Sequence, residues 1–167
     1  HGTMAGRAVL DSSWLDVRFT DGDFTHHDGD APVSRFLGSG RVTSPETSMS
    51  FDLSLAAVPM SLTALSRSFP ALPVRGEFSG SLRVKGTSAN LAVTADLVGD
   101  AGRLEVDGTF DVSEPRYRAT ARGSATGLDL RRFLARGDVP ATTLAVRWSS
   151  DVSGDSLANL RGAAELH

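Results

Sequence analysis

Apolar and polar residues alternate one by one over most of this 167-residue chain. The clearest stretches are residues 47–55, 76–86, 90–98, 103–112 and 116–126, and the alternation continues through Leu144, Val146 and Trp148. A period of two residues places successive side chains on opposite faces of a β-strand, whereas helical side chains repeat about every 3.6 residues. The chain is therefore predicted to be all-β.

Short clusters of Gly, Asp, Pro and Ser separate these runs and predict tight turns. The clusters are Asp21-Gly22-Asp23, Asp28-Gly29-Asp30, Gly86-Thr87-Ser88, Gly99-Asp100-Ala101-Gly102, Ser113-Glu114-Pro115 and Ser153-Gly154-Asp155. Connections this short force neighbouring strands to run antiparallel, as in a meander, and leave no room for crossover helices. We expect helices at only two places: from Ser61 to Phe69, and from Leu130 to Arg136 with Asp129 as the N-cap.

An internal repeat is also predicted. Leu62 and Leu130, Leu65 and Phe133, and Gly86 and Gly154 are each 68 positions apart. The predicted unit is a run of strands, a short helix and more strands, occurring about twice in an array without a closed core. Residues 1–4 are interpreted as the remnant of a removed tag. Residues 5–167 are predicted to be a single β-rich segment of a longer protein, because the alternation reaches the last residues without a closing turn.

Composition excludes several classes of function. The net charge is −3, and residues of both signs are interleaved. The sequence lacks a run of Lys or Arg, which is the feature that would predict binding to nucleic acid or contact with an anionic membrane surface. The chain contains no Cys, so it has neither a disulfide framework nor a thiolate metal site. No apolar run approaches the roughly 18 residues of a membrane-spanning helix.

Strands that are apolar on one side must cover that side with a second sheet, with a closed barrel or with a ligand. Several glycines fall on the apolar side, where a missing side chain allows the sheet to coil: Gly76, Gly80, Gly86, Gly108 and Gly123. We therefore expect a curled antiparallel sheet, a half-pipe of β-taco type with an apolar interior and one or two short helices. The predicted lining residues are Met49, Phe51, Leu53, Leu55, Phe78, Leu82, Val84, Leu91, Val93, Leu97, Leu104, Val106, Phe110, Val112, Tyr117, Leu144, Val146 and Trp148.

Three local features suggest a catalytic, metal-binding or sugar-binding site, but each has a better structural explanation. Gly154-Asp155-Ser156-Leu157 matches a lipase and esterase tetrad, but the only later His is His167. Acidic residues and two His between Asp21 and Asp30 lack the order of a calcium loop and suit polar turns around a solvated strand. Trp14 and Trp148 suit packing or acyl contact better than sugar stacking. We predict no catalytic residue, no metal and no cofactor.

A family resemblance is carried by residues 74–86 (VRGEFSGSLRVKG), followed by Asn90-Leu91. This run resembles the recurrent strand pattern of the TamB and AsmA family of bacterial envelope proteins. Residues 117–123 (YRATARG) and 127–134 (GLDLRRFL) resemble the strand and short helix that precede such a run in that family. The resemblance covers residues 35–167 and includes no invariant catalytic residue.

The resemblance implies a periplasmic half-pipe in a diderm bacterium, anchored in the inner membrane by a helix outside this chain. It also implies a non-enzymatic role in moving phospholipid between the two membranes. Phospholipid or fatty acyl chains are then the expected partners. Head-to-tail self-association through open sheet edges is expected separately, because the cut ends of the segment expose those edges, and it would have no physiological meaning. Two alternatives stay open: an interaction module for outer-membrane protein assembly with a barrel partner, and a self-closed β-sandwich scaffold.

Overall fold

The computed structural model describes residues 2–10, 16–44, 48–68, 73–113, 117–136, 138–140, 142–155 and 161–166. Ten strands in these ranges form one open antiparallel sheet in which each strand pairs with its neighbours along the chain. The strands are β1 (Gly2–Leu10), β2 (Asp16–His26), β3 (Ser34–Thr43), β4 (Ser50–Ser61), β5 (Glu77–Thr87), β6 (Asn90–Gly99), β7 (Gly102–Asp111), β8 (Tyr117–Asp129), β9 (Thr143–Gly154) and β10 (Arg161–Leu166). Two short helices interrupt the meander, α1 (Leu62–Ser68) after β4 and α2 (Leu130–Phe133) after β8. The predicted all-β antiparallel fold with short helices is confirmed.

The two helical connections meet above the apolar face of the sheet. The backbone N–H of Arg75 donates to the carbonyl of Phe133 at 2.8 Å, and Ala135 N–H donates to the carbonyl of Pro73 at 2.9 Å. Val74 and Leu134 form a β-bridge between them. Three strand spacings, roughly 14 Å, separate β5 from β8 within the sheet. The connections therefore bind each other across those strands and form a strap, residues 73–76 and 130–135, over one end of the apolar face.

The core lies beneath this strap. Phe78 is 0% exposed, and Leu62, Leu97, Ala57 and Ala101 are buried around it. The rings of Phe78 and Phe133 meet edge to face with centroids 6.3 Å apart. Partly buried side chains complete the cluster: Phe36, Met60, Val74, Ala95, Leu104 and Phe133. The core is therefore confined to one end of the strands, where helix side chains are available to cover the sheet.

Curling explains how the apolar face is shielded away from the strap. In the central strands β5 to β8, apolar-face side chains such as Val84 and Val93 are half-buried, whereas outer-face residues such as Arg83 and Thr94 are exposed. No helix covers that part of the face in the described residues. A flat sheet without a cover would leave its two faces similarly exposed, so the apolar face is the concave side.

Two local expectations are wrong. Asp21-Gly22-Asp23 does not end a strand, because β2 runs on to His26 and absorbs these residues as a bulge in which Asp21 has a φ of 53°. Helix α2 ends at Phe133 rather than at Arg136, because Leu134 turns extended to pair with Val74. In both places the local propensity is overridden by backbone pairing with a neighbouring segment.

Both helices start in the same way. The side chain of Asp129 accepts hydrogen bonds from the N–H groups of Arg131 and Arg132, as its predicted N-cap role requires. Ser61 Oγ accepts from Ala64 N–H at 3.2 Å. Each helix also follows a register shift in the preceding strand, between Ala57 and Met60 in β4 and between Ala125 and Leu128 in β8. These caps and bulges share the 68-residue offset of the predicted repeat, which itself stays a prediction.

Gly80 allows β5 and β6 to approach closely on the concave side. It has a φ of +150°, and a Cβ built there would lie 2.0 Å from the carbonyl oxygen of Asp96. We expect Gly80→Ala to lower the free energy of unfolding by about 3 kcal/mol through this clash and backbone strain. Urea unfolding measures the change.

Gly127→Ala is the matched control for that substitution. Gly127 has a φ of +63°, but no atom lies within 4 Å of the position of an added Cβ. We therefore expect Gly127→Ala to lower the free energy of unfolding by only about 1 kcal/mol, the cost of placing a non-glycine residue in this backbone conformation. Equal losses for the two variants would contradict the close approach of β5 and β6.

Candidate functional site

The candidate site is the concave face, and the strand register resolves it into rows that cross the sheet. Directly paired residues of neighbouring strands point to the same side, so each row can be followed from β1 to β10. The row farthest from the strap, the distal row, contains Leu10, Val17, Val42, Phe51, Gly86, Leu91, Phe110, Ala119, Val152 and Gly162. The middle row contains Ala8, Phe19, Gly40, Leu53, Val84, Val93, Gly108, Ala121, Ser150 and Ala164.

A third row, the proximal row, lies between the middle row and the strap. It contains Gly22, Gly38, Leu55, Leu82, Ala95, Val106, Gly123, Trp148 and Leu166, with Gly6 opposite Gly22 at the bulge in the β1–β2 pair. Ser150 carries the single polar side chain in the three rows. Ten strands spaced about 4.8 Å apart make each row roughly 43 Å long. We call the surface formed by the three rows the trough.

The large side chains of the trough are shielded but not buried. Phe51, Leu53, Leu82, Val106 and Phe110 are all half-buried. Complete burial of an aliphatic or aromatic side chain requires contacts on every side, and the trough side chains have such contacts only from the sheet and its curl. The trough is therefore an open apolar surface, unlike the core beneath the strap.

The predicted lining residues fall into three groups. Those in the trough are Phe51, Leu53, Leu55, Leu82, Val84, Leu91, Val93, Val106, Phe110 and Trp148. Those at the strap end of the face are Phe78, Leu97, Leu104, Leu144 and Val146, of which Phe78 and Leu97 are core side chains out of reach of a bound chain. Those at the opposite ends of the strands are Met49, Val112 and Tyr117, with Met49 and Val112 each 43% exposed.

Sequence reasoning missed the part of the trough that β2 and β3 provide. Val17, Phe19 and Val42 lie in the distal and middle rows, although the predicted lining begins only at Met49. The sequence signal that could have assigned these residues to the trough was their alternation with the charged residues Arg18 and Arg41. It was obscured because the bulge at Asp21 changes the parity of β2 halfway along the strand.

Trp148 packs across the trough floor on a glycine. A Cβ at Gly123 would lie 2.7 Å from two carbon atoms of the Trp148 indole, so the ring occupies the space that a side chain at this position would need. Phe51 opposite Gly86 and Val93 opposite Gly108 repeat this pairing of a large residue with glycine. The pairing brings neighbouring backbones together on the concave side and keeps the floor apolar.

The outer face is polar and largely neutralises its own charge. Arg41 donates two hydrogen bonds to Asp16, at 2.8 and 2.7 Å, and these lower the pKa of the Asp16 carboxyl. Hydrogen bonds from Arg35 lower the pKa of Asp23 in the same way. Ion pairs also link β5 to β4, β6 to β7 and β8 to β9. An outer groove of about 520 Å³ near β8 and β9 is lined by three carboxylates, Asp107, Asp151 and Glu165, and by Arg122.

The acidic cluster near the start of the chain has structural partners. Asp23 binds Arg35, and Asp30 forms an ion pair with Arg67 of α1. Arg67 also donates to the carbonyl of Asp28 at 2.6 Å, which fastens the predicted turn at residues 28–30 to the helix. Among the described residues, no group of three or more His, Asp or Glu is arranged to hold a metal ion.

The remaining sequence motifs lie at the margins of the described structure. Gly154 pairs with Tyr117 in the ladder between β8 and β9. Ser156 and Leu157 of the esterase-like tetrad lie outside the described residues, as do His167 and Trp14. Neither helix in the described ranges is long and apolar enough to cross a membrane. Comparison of the chain with known protein families, characterised proteins and solved structures gave no match.

Proposed function

We propose that the chain is a lipid-conducting structural segment that shields acyl chains of phospholipid in the trough. The observation that carries the proposal is the continuity of the three trough rows, which cross the sheet with Ser150 as their single polar side chain. The resemblance of residues 35–167 to the TamB and AsmA family supports placing the segment between the inner and outer membranes of a diderm bacterium.

The energetics of acyl chains suit a surface of this kind. Each methylene removed from water contributes about 0.8 kcal/mol, so ten methylenes contribute about 8 kcal/mol before the loss of chain freedom. The gain is non-directional, because burial of apolar area requires no specific polar partner. An acyl chain would be held anywhere along the rows with similar free energy, and it would slide between equivalent positions at little cost.

The charge distribution suits an amphipathic ligand. The outer face carries the charged residues, and the concave face of the described strands carries none in its three rows. A phospholipid whose acyl chains lie in the trough would keep its headgroup at the open side, in water. Desolvation of the headgroup is thereby avoided, whereas burying a charged phosphate would be costly.

Native mass spectrometry of protein purified from cells tests the proposal. We expect phospholipid or fatty acid to co-purify, and to be displaced by a competing detergent, because an uncovered apolar surface of this length binds acyl chains. Photo-crosslinking from a probe at Val84 identifies what contacts the trough. Crosslinks to lipid support the proposal. A lipid-free protein that crosslinks only to polypeptide would contradict it and would support the alternative, an interaction module for other proteins.

A further inference from the structure

The strap covers apolar surface that continues the trough. A fourth row lies two residues beyond the proximal row on each central strand, and it contains Ala57, Gly80, Leu97, Leu104, Ala125 and Val146. Ala95 of the proximal row packs against the same cluster that contains Leu97, so the trough and the fourth row adjoin without a polar boundary. With the strap closed, the fourth row is out of reach of a bound chain.

We propose that the strap is a displaceable cover, and that the acyl chains of a bound lipid displace it to occupy the fourth row. The inference rests on the proposed function and adds a second state of the same surface. The closed state offers three rows to a ligand, and the open state offers four. A lipid makes the additional contacts only in the open state, so lipid binding shifts the strap toward that state.

The two arms of the strap hold each other by few contacts. Among the described residues, Val74 and Leu134 are the one bridged pair between the arms, with a backbone hydrogen bond on either side. The guanidinium of Arg75 adds a hydrogen bond to the carbonyl of Arg131. By comparison, ten residue pairs join β5 to β6. Since water replaces the few hydrogen bonds of the strap when its arms separate, the strap opens more readily than these strands part.

The strap also packs lightly on the sheet. Helix α2 contains no buried residue, and Phe133, which meets the ring of Phe78, is itself only half-buried. The main cost of opening is therefore the exposure of what lies beneath, including Phe78 and Leu97. An acyl chain in the fourth row removes the same apolar surface from water, so it replaces the cover that the strap withdraws.

A disulfide across the strap tests the proposal. Val74 and Leu134 form a non-hydrogen-bonded antiparallel pair, because the hydrogen bonds join the residues on either side of them. The Cα atoms of such pairs lie roughly 4.5 Å apart, within the range that a disulfide spans. The chain contains no Cys, so the double variant Val74→Cys/Leu134→Cys forms only this disulfide within one molecule. Its reduced form is the control for the two substitutions themselves.

Both forms of this variant are titrated with phosphatidylcholine vesicles, and the lipid bound to protein is counted after the vesicles are removed. We expect the oxidised form to bind lipid about ten-fold more weakly than the reduced form, because the locked strap removes one row of apolar contacts. Equal binding by the two forms would overturn strap opening and leave the trough as the binding surface. Binding by neither form would overturn the proposed function, and strap opening with it.

Hydrogen exchange of the unmodified chain provides a second readout. The amides of Arg75 and Ala135 donate the two backbone hydrogen bonds that close the strap. We expect both amides to exchange about ten-fold faster in the lipid-loaded protein than in the lipid-free protein, while amides in the centre of β6 and β7 stay protected. Unchanged or slower exchange of the two strap amides in the loaded protein would mean that lipid binds beneath a closed strap, and would overturn the proposal.

Discussion

Val106→Asp should strip bound lipid from the protein. Val106 lies near the centre of the proximal row, between Ala95 and Gly123, and its side chain is half-buried on the concave face. A carboxylate there keeps its water and excludes acyl methylenes from the neighbouring strands. The loss of three or four methylene contacts, about 3 kcal/mol, corresponds to an affinity about 100-fold lower. Quantifying phospholipid extracted from equal amounts of purified protein measures the effect.

Thr94→Asp is the control for lipid binding. Thr94 lies on the exposed outer face of β6, so the same acidic side chain is introduced outside the trough. We expect unchanged lipid content in this variant. Lipid retained in full by Val106→Asp, in a protein that unfolds normally, would count decisively against the trough as the binding surface.

Phe78→Ala should cost more stability than any other single truncation on the concave face. Phe78 is 0% exposed, packs edge to face on Phe133 and lies in the cluster beneath the strap. Removal of a buried phenyl ring leaves a cavity that a packed core fills only in part, and we expect the free energy of unfolding to fall by about 4 kcal/mol. Domains are commonly stable by about 5–15 kcal/mol, so this loss is a large part of the total.

Phe51→Ala tests whether the trough is open. Phe51 also points to the concave side but is half-buried, and its truncation should lower the free energy of unfolding by about 1–2 kcal/mol. Urea unfolding of both variants under identical conditions provides the comparison. Equal losses at Phe51 and Phe78 would mean that the distal row packs as tightly as the core, and an open trough would then be wrong.

These two experiments probe two parts of one surface. The strap covers the end of the concave face that contains Phe78 and Leu97, and these residues stabilise the fold. The three rows beyond it contain residues of the same chemical type without a protein cover. A single curled sheet thus combines a small core with a long apolar surface, which explains why one strand, β5, contributes Phe78 to the core and Val84 to the trough.

Much of the architecture was predictable from local pattern. Alternation in residues 90–98 and 103–112 identified β6 and β7 to within one residue at each end, because a half-exposed sheet must alternate apolar and polar side chains. Asp129 identified the start of α2, since its carboxylate binds the free N–H groups of the first turn. The bulge at Asp21 was missed, because a left-handed residue followed by glycine has the same local signature as a turn.

Outside the bulge at Asp21, the sequence by itself determined which side chains share a face, because the parity of a regular strand is a local property of its backbone. It also determined the antiparallel order where the connections are short, whereas the connections through α1 (residues 62–76) and α2 (residues 130–142) are long enough for a crossover, and there the structure decided the pairing. Only the tertiary structure decided that Phe78 is core while Val84 lines the trough. Both belong to the same apolar series, and their difference arises from the strap, whose residues 73–76 and 130–135 are distant in the chain and meet only in the folded sheet. Burial depends on what lies above a face, and alternation along a strand contains no information about that cover.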